Sequence, residues 1–422
     1  MKKYEKICVV GLGYIGLPTA AMFASRNLKV VGVDVNKHAV ETINRGDIHI
    51  VEPDLDQVVR HVVDNGYLVA SLEPEDADAF IIAVPTPFKG EDHQPDLSYI
   101  ETASKNIAKY LKKGALVVLE STSPVGATEK MADWLASERP DLSFPQNNGE
   151  NSDIRIAHCP ERVLPGKVMQ ELISNDRIIG GITKQCSYDA TDLYKIFVEG
   201  NCQIASSARI AEMCKLTENS FRDVNIAFAN ELSLICARLE MDVWELIKLA
   251  NLHPRVNILQ PGPGVGGHCI AVDPWFIVSS ARHEAQLIAK AREVNDAKPS
   301  WVLSQINEAK RSYIANSVGL DERNLKIALY GVAFKPDIDD LRESPALMIA
   351  EKLINEYDGE VLIVEPNIDI LPTELIGSAL VDISFAEANA HIHVYLVAHK
   401  EFKSRPPIKS NFLVDCVGLY SS

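Results

Sequence analysis

A short apolar run, Lys6-Ile-Cys-Val-Val10, leads straight into Gly11-Leu-Gly13-Tyr-Ile-Gly16, and a helical pattern from Leu17 to Arg26 follows. Few folds accommodate that succession. Gly11 suits the tight turn off a strand, Gly13 lets the backbone approach a pyrophosphate, and Gly16 allows the helix to pack close on the strand. The helix N-terminus then faces the phosphate charge. A second strand, Val30-Val-Gly-Val-Asp34, ends in an acid eighteen residues beyond the last glycine. An acid there accepts hydrogen bonds from an adenosine ribose and repels a 2′-phosphate, which predicts NAD in preference to NADP.

Alternating strands and helices continue the pattern. Phe80–Val84 ends in Pro85-Thr86-Pro87, and Ala115–Leu119 ends in Glu120-Ser-Thr122-Ser-Pro124. Both strand ends carry hydroxyls, where ligands bind in open parallel sheets. Ser123 with Pro124 reads as an N-cap and first helical residue, and Pro140 to Asp153 reads as a surface loop. Ile154–Ala157 leads into His158-Cys-Pro-Glu161-Arg162-Val163. From Ser207 to Met241 the pattern is helical without glycine or proline, a length that predicts a subunit interface. A second α/β pattern opens at Leu325–Tyr330 with Gly331, and strands recur at Glu360–Val364, His393–Val397 and Phe412–Asp415. The expectation is an α/β chain with two Rossmann-like parallel-sheet domains, residues 1-206 and 301-422, joined by a long-helix connector domain, 207-300.

At 422 residues two or three domains are expected. The formal charge of −16 argues against nucleic acid or an anionic membrane as main partner, though not against an anionic small molecule in a basic cleft. No apolar run approaches the ~20 residues of a membrane span. The first strand follows the start so closely that no signal peptide is expected, and a cytoplasmic location is. The eight cysteines form no CxxC pair and no metal-like spacing, so reduced thiols and no metal are expected. Most read as core fillers.

Cys269 is the exception. It follows Pro261-Gly-Pro-Gly-Val-Gly-Gly-His268, with Asp273 four residues on. Such a loop lets a backbone press against a ligand and presents the thiol to a carbonyl, although a glycine-rich turn with a buried cysteine is the plainer alternative. On the long helix, Lys215, Asn219 and Arg222 are spaced by four and three and share a face. A solvated face with Glu212 and Glu218 as partners would also explain them, but Met213, Cys214, Leu216 and Phe221 beside them imply burial. Lys215 and Asn219 would then donate to an oxyanion and Glu161 would act as base on water. His253 and Arg255 suit sugar hydroxyls or phosphate, and ordinary loop polarity equally.

Taken in order, Gly11–Pro18, Cys159-Pro-Glu-Arg162, Lys215-Leu-Thr-Glu-Asn219, Gly266-Gly-His-Cys269 with Asp273, and Phe334-Lys335-Pro with Arg342-Glu-Ser-Pro345 resemble the UDP-glucose/GDP-mannose dehydrogenase family over nearly the whole chain. The resemblance implies oxidation of a sugar C6 alcohol to a carboxylate, with two NAD used in succession. Cys269 would form a thiohemiacetal and then a thioester, and water oriented by Glu161 would hydrolyse it. Lys215, Asn219 and Asp273 would hold the oxyanion and that water, with Thr122 nearby. Besides Gly11, Gly13 and Gly16, it implies NAD contacts from Tyr14, Ile15, Asp34, Thr86, Thr128 and Arg342. It implies UDP-sugar contacts from Arg162, Val163, Lys215, Asn219, Arg222, His253, Arg255, Gly266, Phe334 and Lys335, and a homodimer through the central helix. Two positions depart from the family pattern. Val272 stands where UDP-glucose dehydrogenases carry lysine, which argues against UDP-glucose; the overall resemblance implies a UDP-N-acetylhexosamine of manno configuration, with UDP-N-acetylglucosamine as alternative. Val417 stands where many relatives carry a basic residue. A non-catalytic NAD-sensing module is the rival of a different class, and the Cys269, Glu161 and Lys215 set argues against it.

Overall fold

The computed structural model describes residues 4–90, 93–164, 166–267, 269–317, 321–406, 408 and 412–420. His268, named above beside Cys269, lies outside the described residues. The chain divides into two compact units, Met1–Glu218 with Trp275–Arg282, and Asn219–Pro274 with His283–Ser422. The stretch read as a connector is thus shared between them.

In the first unit the strands are β1 (Lys6–Val10), β2 (Lys29–Val33), β3 (Leu68–Ser71), β4 (Ala79–Ile82), β7 (Leu116–Leu119), β8 (Arg155–His158), β9 (Arg177–Gly181) and β10 (Cys202–Ile204), with a small hairpin of β5 (Phe88–Lys89) and β6 (Gln94–Pro95) outside the sheet. The sheet order is β10-β9-β8-β7-β4-β1-β2-β3. From β3 to β8 all pairings are parallel, in the doubly wound order of a dinucleotide-binding domain. The sheet is not parallel throughout, as the sequence suggested: β9 runs antiparallel to β8, and β10 follows β9. Alternate residues of each inner strand feed two different cores. Ile7, Val9, Ile81 and Val118 enter one, while Cys8, Val10, Ile82 and Leu119 enter the other. Burial on both faces is why these strands read as unbroken apolar runs.

Register sets the functional edge. Val10 pairs with Val33 and Ile82, Ile82 with Leu119, and Leu119 with His158. Gly11, Asp34, Ala83, Glu120 and Cys159, each one residue further on, therefore line up along the carboxyl ends of the strands.

The second unit holds β11 (Lys326–Tyr330), β12 (Glu360–Val364), β13 (Ala379–Leu380), β14 (Ile392–Tyr395) and β15 (Leu413–Asp415). They form a parallel sheet in the order β13-β12-β11-β14-β15. Here too Ile327 and Leu329 face one core and Ala328 and Tyr330 the other.

Two segments differ locally from the sequence pattern. The helix after β7 starts at Ala127, with Gly126 at φ 94 before it, and Ser123 caps nothing in it: its hydroxyl donates to Ser121 O at 2.7 Å. Pro140–Asp153 contains two short helical turns, Pro145–Asn148 and Gly149–Asn151.

The long helix is continuous over Ala208–Arg238, beginning in the first unit and ending in the second. Its burial follows the expectation only in part: Lys215 and Leu216 are buried as read, and Arg222 is exposed. Met213 and Phe221, taken as signs of burial, are 37% and 70% exposed, while Glu212, Lys215, Ser220, Asp223, Asn230 and Ser233 are buried. In the second unit a polar ladder explains the inversion. The helix Gln286–Asn316 presents Arg292 to Asp223 (2.7 Å), Asn295 to Asp223 and Asn230 (2.8 and 2.9 Å) and Lys298 to Ser233 (2.5 Å). Buried polar groups paired across two long helices fix their register.

Candidate active site

The glycine turn is shaped by close approach. A Cβ on Gly11, which sits at φ +91, would lie 2.5 Å from Ala83 O, and one on Gly16 only 1.8 Å from Gly11 O. Gly13 meets nothing within 4 Å, so its backbone is the open surface of the turn. Tyr14 and Ile15 are half-buried there, at the start of the helix Gly16–Ser25. Asp34 accepts from Leu12 N and Asn36 N, both at 2.8 Å, and so ties the turn to the end of β2. A turn of this shape, with a helix N-terminus and an acid beside it, fits NAD.

At the neighbouring strand ends the Thr86 hydroxyl donates to Thr122 O at 2.5 Å. Thr128 is fully buried, and its hydroxyl donates to Glu212 at 2.6 Å. Arg342 belongs to the second unit, is exposed, and forms a two-pronged pair with Asp340 at 2.9 and 2.6 Å.

Glu161 and Lys215 form an ion pair at 3.0 Å, each side chain only 8% exposed. The second oxygen of Glu161 accepts from Val163 N at 2.9 Å. A carboxylate held on one side by an ammonium and on the other by a backbone amide has a fixed orientation, which general-base work on water requires. Arg162 is paired to Glu218 at 2.8 Å and donates to Asp176 O at 3.1 Å. Behind them lies a group the sequence reading missed. Glu120, Arg177 and Tyr194 are buried together, with Arg177 at 3.6 Å and the Tyr194 hydroxyl at 3.3 Å from Glu120. Burial pushes the Glu120 carboxyl up to about 7 although Arg177 pulls the other way. The loop beyond Glu161 is held by Glu52, which accepts from Gly166 N and Val168 N at 2.9 and 2.8 Å.

In the second unit, Cys269 is the one exposed cysteine of eight. Its carbonyl accepts from Asp273 N at 2.8 Å, where the helix Asp273–Ser280 begins. The buried Asp273 carboxylate accepts from the Asn219 side chain at 2.5 Å. The glycines of this loop also make room for protein. A Cβ on Gly266 would meet Glu343 O at 2.4 Å, and one on Gly267 would meet the Phe334 ring at 3.1 Å. Lys335 lies 5.9 Å from the Phe334 ring centre. Arg222, His253 and Arg255 are exposed, and Asn251 closes the loop of the last two through paired bonds to Ile258.

Among the described residues Asp337, His399 and Glu401 cluster as metal ligands would. The His399 ring is already engaged: Nδ1 accepts from Asp337 N and Asn367, and Nε2 faces Glu365 at 3.1 Å. No described helix is long and apolar enough to cross a membrane.

Three family models match consecutive stretches of the chain: the UDP-glucose/GDP-mannose dehydrogenase family NAD binding domain over residues 5–198, the central domain over 209–297 and the UDP binding domain over 328–422. The chain belongs to that family. It is an NAD-dependent dehydrogenase with a UDP-sugar binding domain. A UDP-N-acetyl-D-mannosamine dehydrogenase of Yersinia pestis is 63% identical, with 99% of each chain covered. An NDP-N-acetyl-D-galactosaminuronic acid dehydrogenase of Ralstonia nicotianae is 59% identical over 99% of this chain and 97% of its own. The solved structure of a UDP-D-ManNAc dehydrogenase from Pyrococcus horikoshii is similar at TM-score 0.87 and 38% identity, covering 99% of this chain and 96% of the other.

Proposed function

We propose that this enzyme oxidises the C6 alcohol of UDP-N-acetyl-D-mannosamine to the carboxylate, as a homodimer in the cytoplasm that supplies uronic acid for surface polysaccharide. The observation that carries this reading is the 63% identity, over 99% of each chain, to the UDP-N-acetyl-D-mannosamine dehydrogenase of Yersinia pestis. The balance is one alcohol, two NAD and one water giving one carboxylate, two NADH and three protons. Bound NAD supplies the acceptor for hydride from C6 in each half.

The chain's own residues do the rest. The exposed Cys269 sulfur adds to the C6 carbonyl carbon of the aldehyde, and Lys215 and Asn219 donate to the oxygen that gains charge. After the second oxidation C6 is held as a thioester. Glu161 takes a proton from water, the water oxygen bonds to C6, and the carbon–sulfur bond breaks to return the thiolate. Asp273, held by Asn219, orients polar groups around the reacting carbon, and Thr122 does so from the end of β7. Exposure of Cys269 and the fixed Glu161–Lys215 pair support these roles.

The 59% identical Ralstonia relative supports a second reading, an N-acetylgalactosamine sugar. Measuring kcat/KM for UDP-N-acetylmannosamine, UDP-N-acetylgalactosamine, UDP-N-acetylglucosamine and UDP-glucose separates them. The manno sugar is expected first, and UDP-glucose is expected lower by roughly 100-fold or more, because a pocket built around an amide leaves polar groups unpaired without it. Best turnover with either of the other amides replaces the sugar; best turnover with UDP-glucose removes the amide argument.

A further inference from the structure

The carboxylate of Glu212 is fully buried on the long helix, three residues before Lys215 and one turn after Arg209. Nothing in the oxidation chemistry above uses it. It accepts three hydrogen bonds from one place, the start of the helix Ala127–Glu138: Gly126 N at 2.6 Å, Thr128 N at 2.8 Å and the Thr128 hydroxyl at 2.6 Å. These amides have no partner within their own helix, because the first turn of any helix leaves its donors free. The acid reaches them from 86 and 84 residues away in sequence. A second link lies outside the first, where Arg209 grips Glu129 through two bonds at 2.8 and 2.6 Å. That pair is exposed and solvent-screened, whereas Glu212 is not.

Residues three apart on a helix lie on one face. The bonds that fix Glu212 therefore fix the rotation and the axial position of the turn carrying Lys215, whose ammonium must stay at 3.0 Å from Glu161. We propose that Glu212 is a positioning residue for the Lys215–Glu161 pair, locking the long helix to the strand-end segment that carries Thr122. The proposal rests on the catalytic reading of that pair. Glu212 touches neither substrate nor cofactor in this account; it acts through Lys215. It also gives Thr128 a role other than the NAD contact implied by family resemblance, as the hydroxyl that completes the clamp.

The test compares Glu212→Gln, Glu212→Asp and Thr128→Val with the wild type. Glutamine keeps the length but places an N–H against one of the two amides. Aspartate keeps the charge and shortens the reach by one methylene, about the 1.5 Å rise of one helical residue. Both should lower kcat by about 10- to 100-fold, the scale of an ångström's misplacement, with KM for NAD and for the UDP-sugar nearly unchanged. The pH profile of kcat should shift in both, since the distance between the two paired charges changes. Thr128→Val removes one bond of three and should lower kcat in the same direction by less, again with KM for NAD unchanged. Glu129→Gln, which breaks only the exposed link, should leave kcat within about twofold.

Wild-type kcat and pH profile in Glu212→Gln, even with a lowered melting temperature, would overturn the proposal. So would a Thr128→Val variant that raises KM for NAD and leaves kcat alone; that variant stands as the test if neither Glu212 variant folds. Lys215→Ala, assayed alongside, keeps the two ideas apart. An active Lys215→Ala enzyme sinks the catalytic reading itself, and an inactive one beside a normal Glu212→Gln sinks only the clamp.

Discussion

Cys269 differs from the other seven cysteines in exposure, and exposure is what a thiol reagent reads. Burial pushes the Cys8, Cys159 and Cys416 thiols up to about 12, so these stay protonated and inert at neutral pH. Brief treatment with iodoacetamide should alkylate one residue, identified by mass spectrometry as Cys269, and abolish activity in proportion. Equal labelling of several cysteines would contradict the assignment. Cys269→Ser should keep NAD and UDP-sugar affinity and lose acid formation. The buried groups behind the strand ends predict a pH dependence of stability. His158 is fully buried, and burial lowers its pKa to about 3. Its native form is neutral while the unfolded chain takes a proton below about 6.5. Its contribution is therefore present above that value and is lost as pH falls toward 3, at about 1.4 kcal/mol per pH unit. Glu120, raised to about 7, has the opposite sign: the native state holds its proton, and its contribution is lost as pH rises from the ordinary carboxyl range through 7. Urea midpoints of wild type and His158→Gln should differ most above pH 7 and converge as pH falls to 4. A constant difference would contradict the sign.

At the scale of elements, the long helix carries its lesson in the side it leaves out. Phe221, Phe228 and Ile235 recur every seven residues and are 70%, 51% and 45% exposed. A heptad-spaced apolar stripe on one helix suits a second copy of that helix, which supports the proposed homodimer. Phe221→Asp with Phe228→Asp should give a monomer by sedimentation equilibrium with the circular dichroism of the fold retained; a dimer that persists refutes the interface. The extent of this helix was legible, because a long stretch without glycine or proline has few other fates. Which face it buries was not. Apolar spacing alone assigns Met213 and Phe221 to the core, whereas Arg292, Asn295 and Lys298, some seventy residues away, claim Asp223, Asn230 and Ser233 instead. The missed cap has the same cause. Ser123 before a proline is a sound local signal, but the helix is capped by Glu212, which no window around residue 123 contains. Gly11 and Gly16 were legible because their constraint is local, a turn with no room for a Cβ directly after the strand, and Asp34 is tied to that same turn through Leu12 N.

At the scale of the whole molecule, each of the two units holds a sheet of related strand order, and the family models assign NAD to the first and UDP to the second. With one glycine fingerprint and one exposed thiol, the proposed four-electron oxidation has to use the same cofactor site twice. Double use of one site is countable. Exhaustive conversion of a known amount of UDP-N-acetyl-D-mannosamine, followed by absorbance of NADH and mass analysis of the sugar, should give two NADH per sugar, all of it as the carboxylate. One NADH per sugar with free aldehyde released would contradict the account, because Cys269 would then have no part in the reaction.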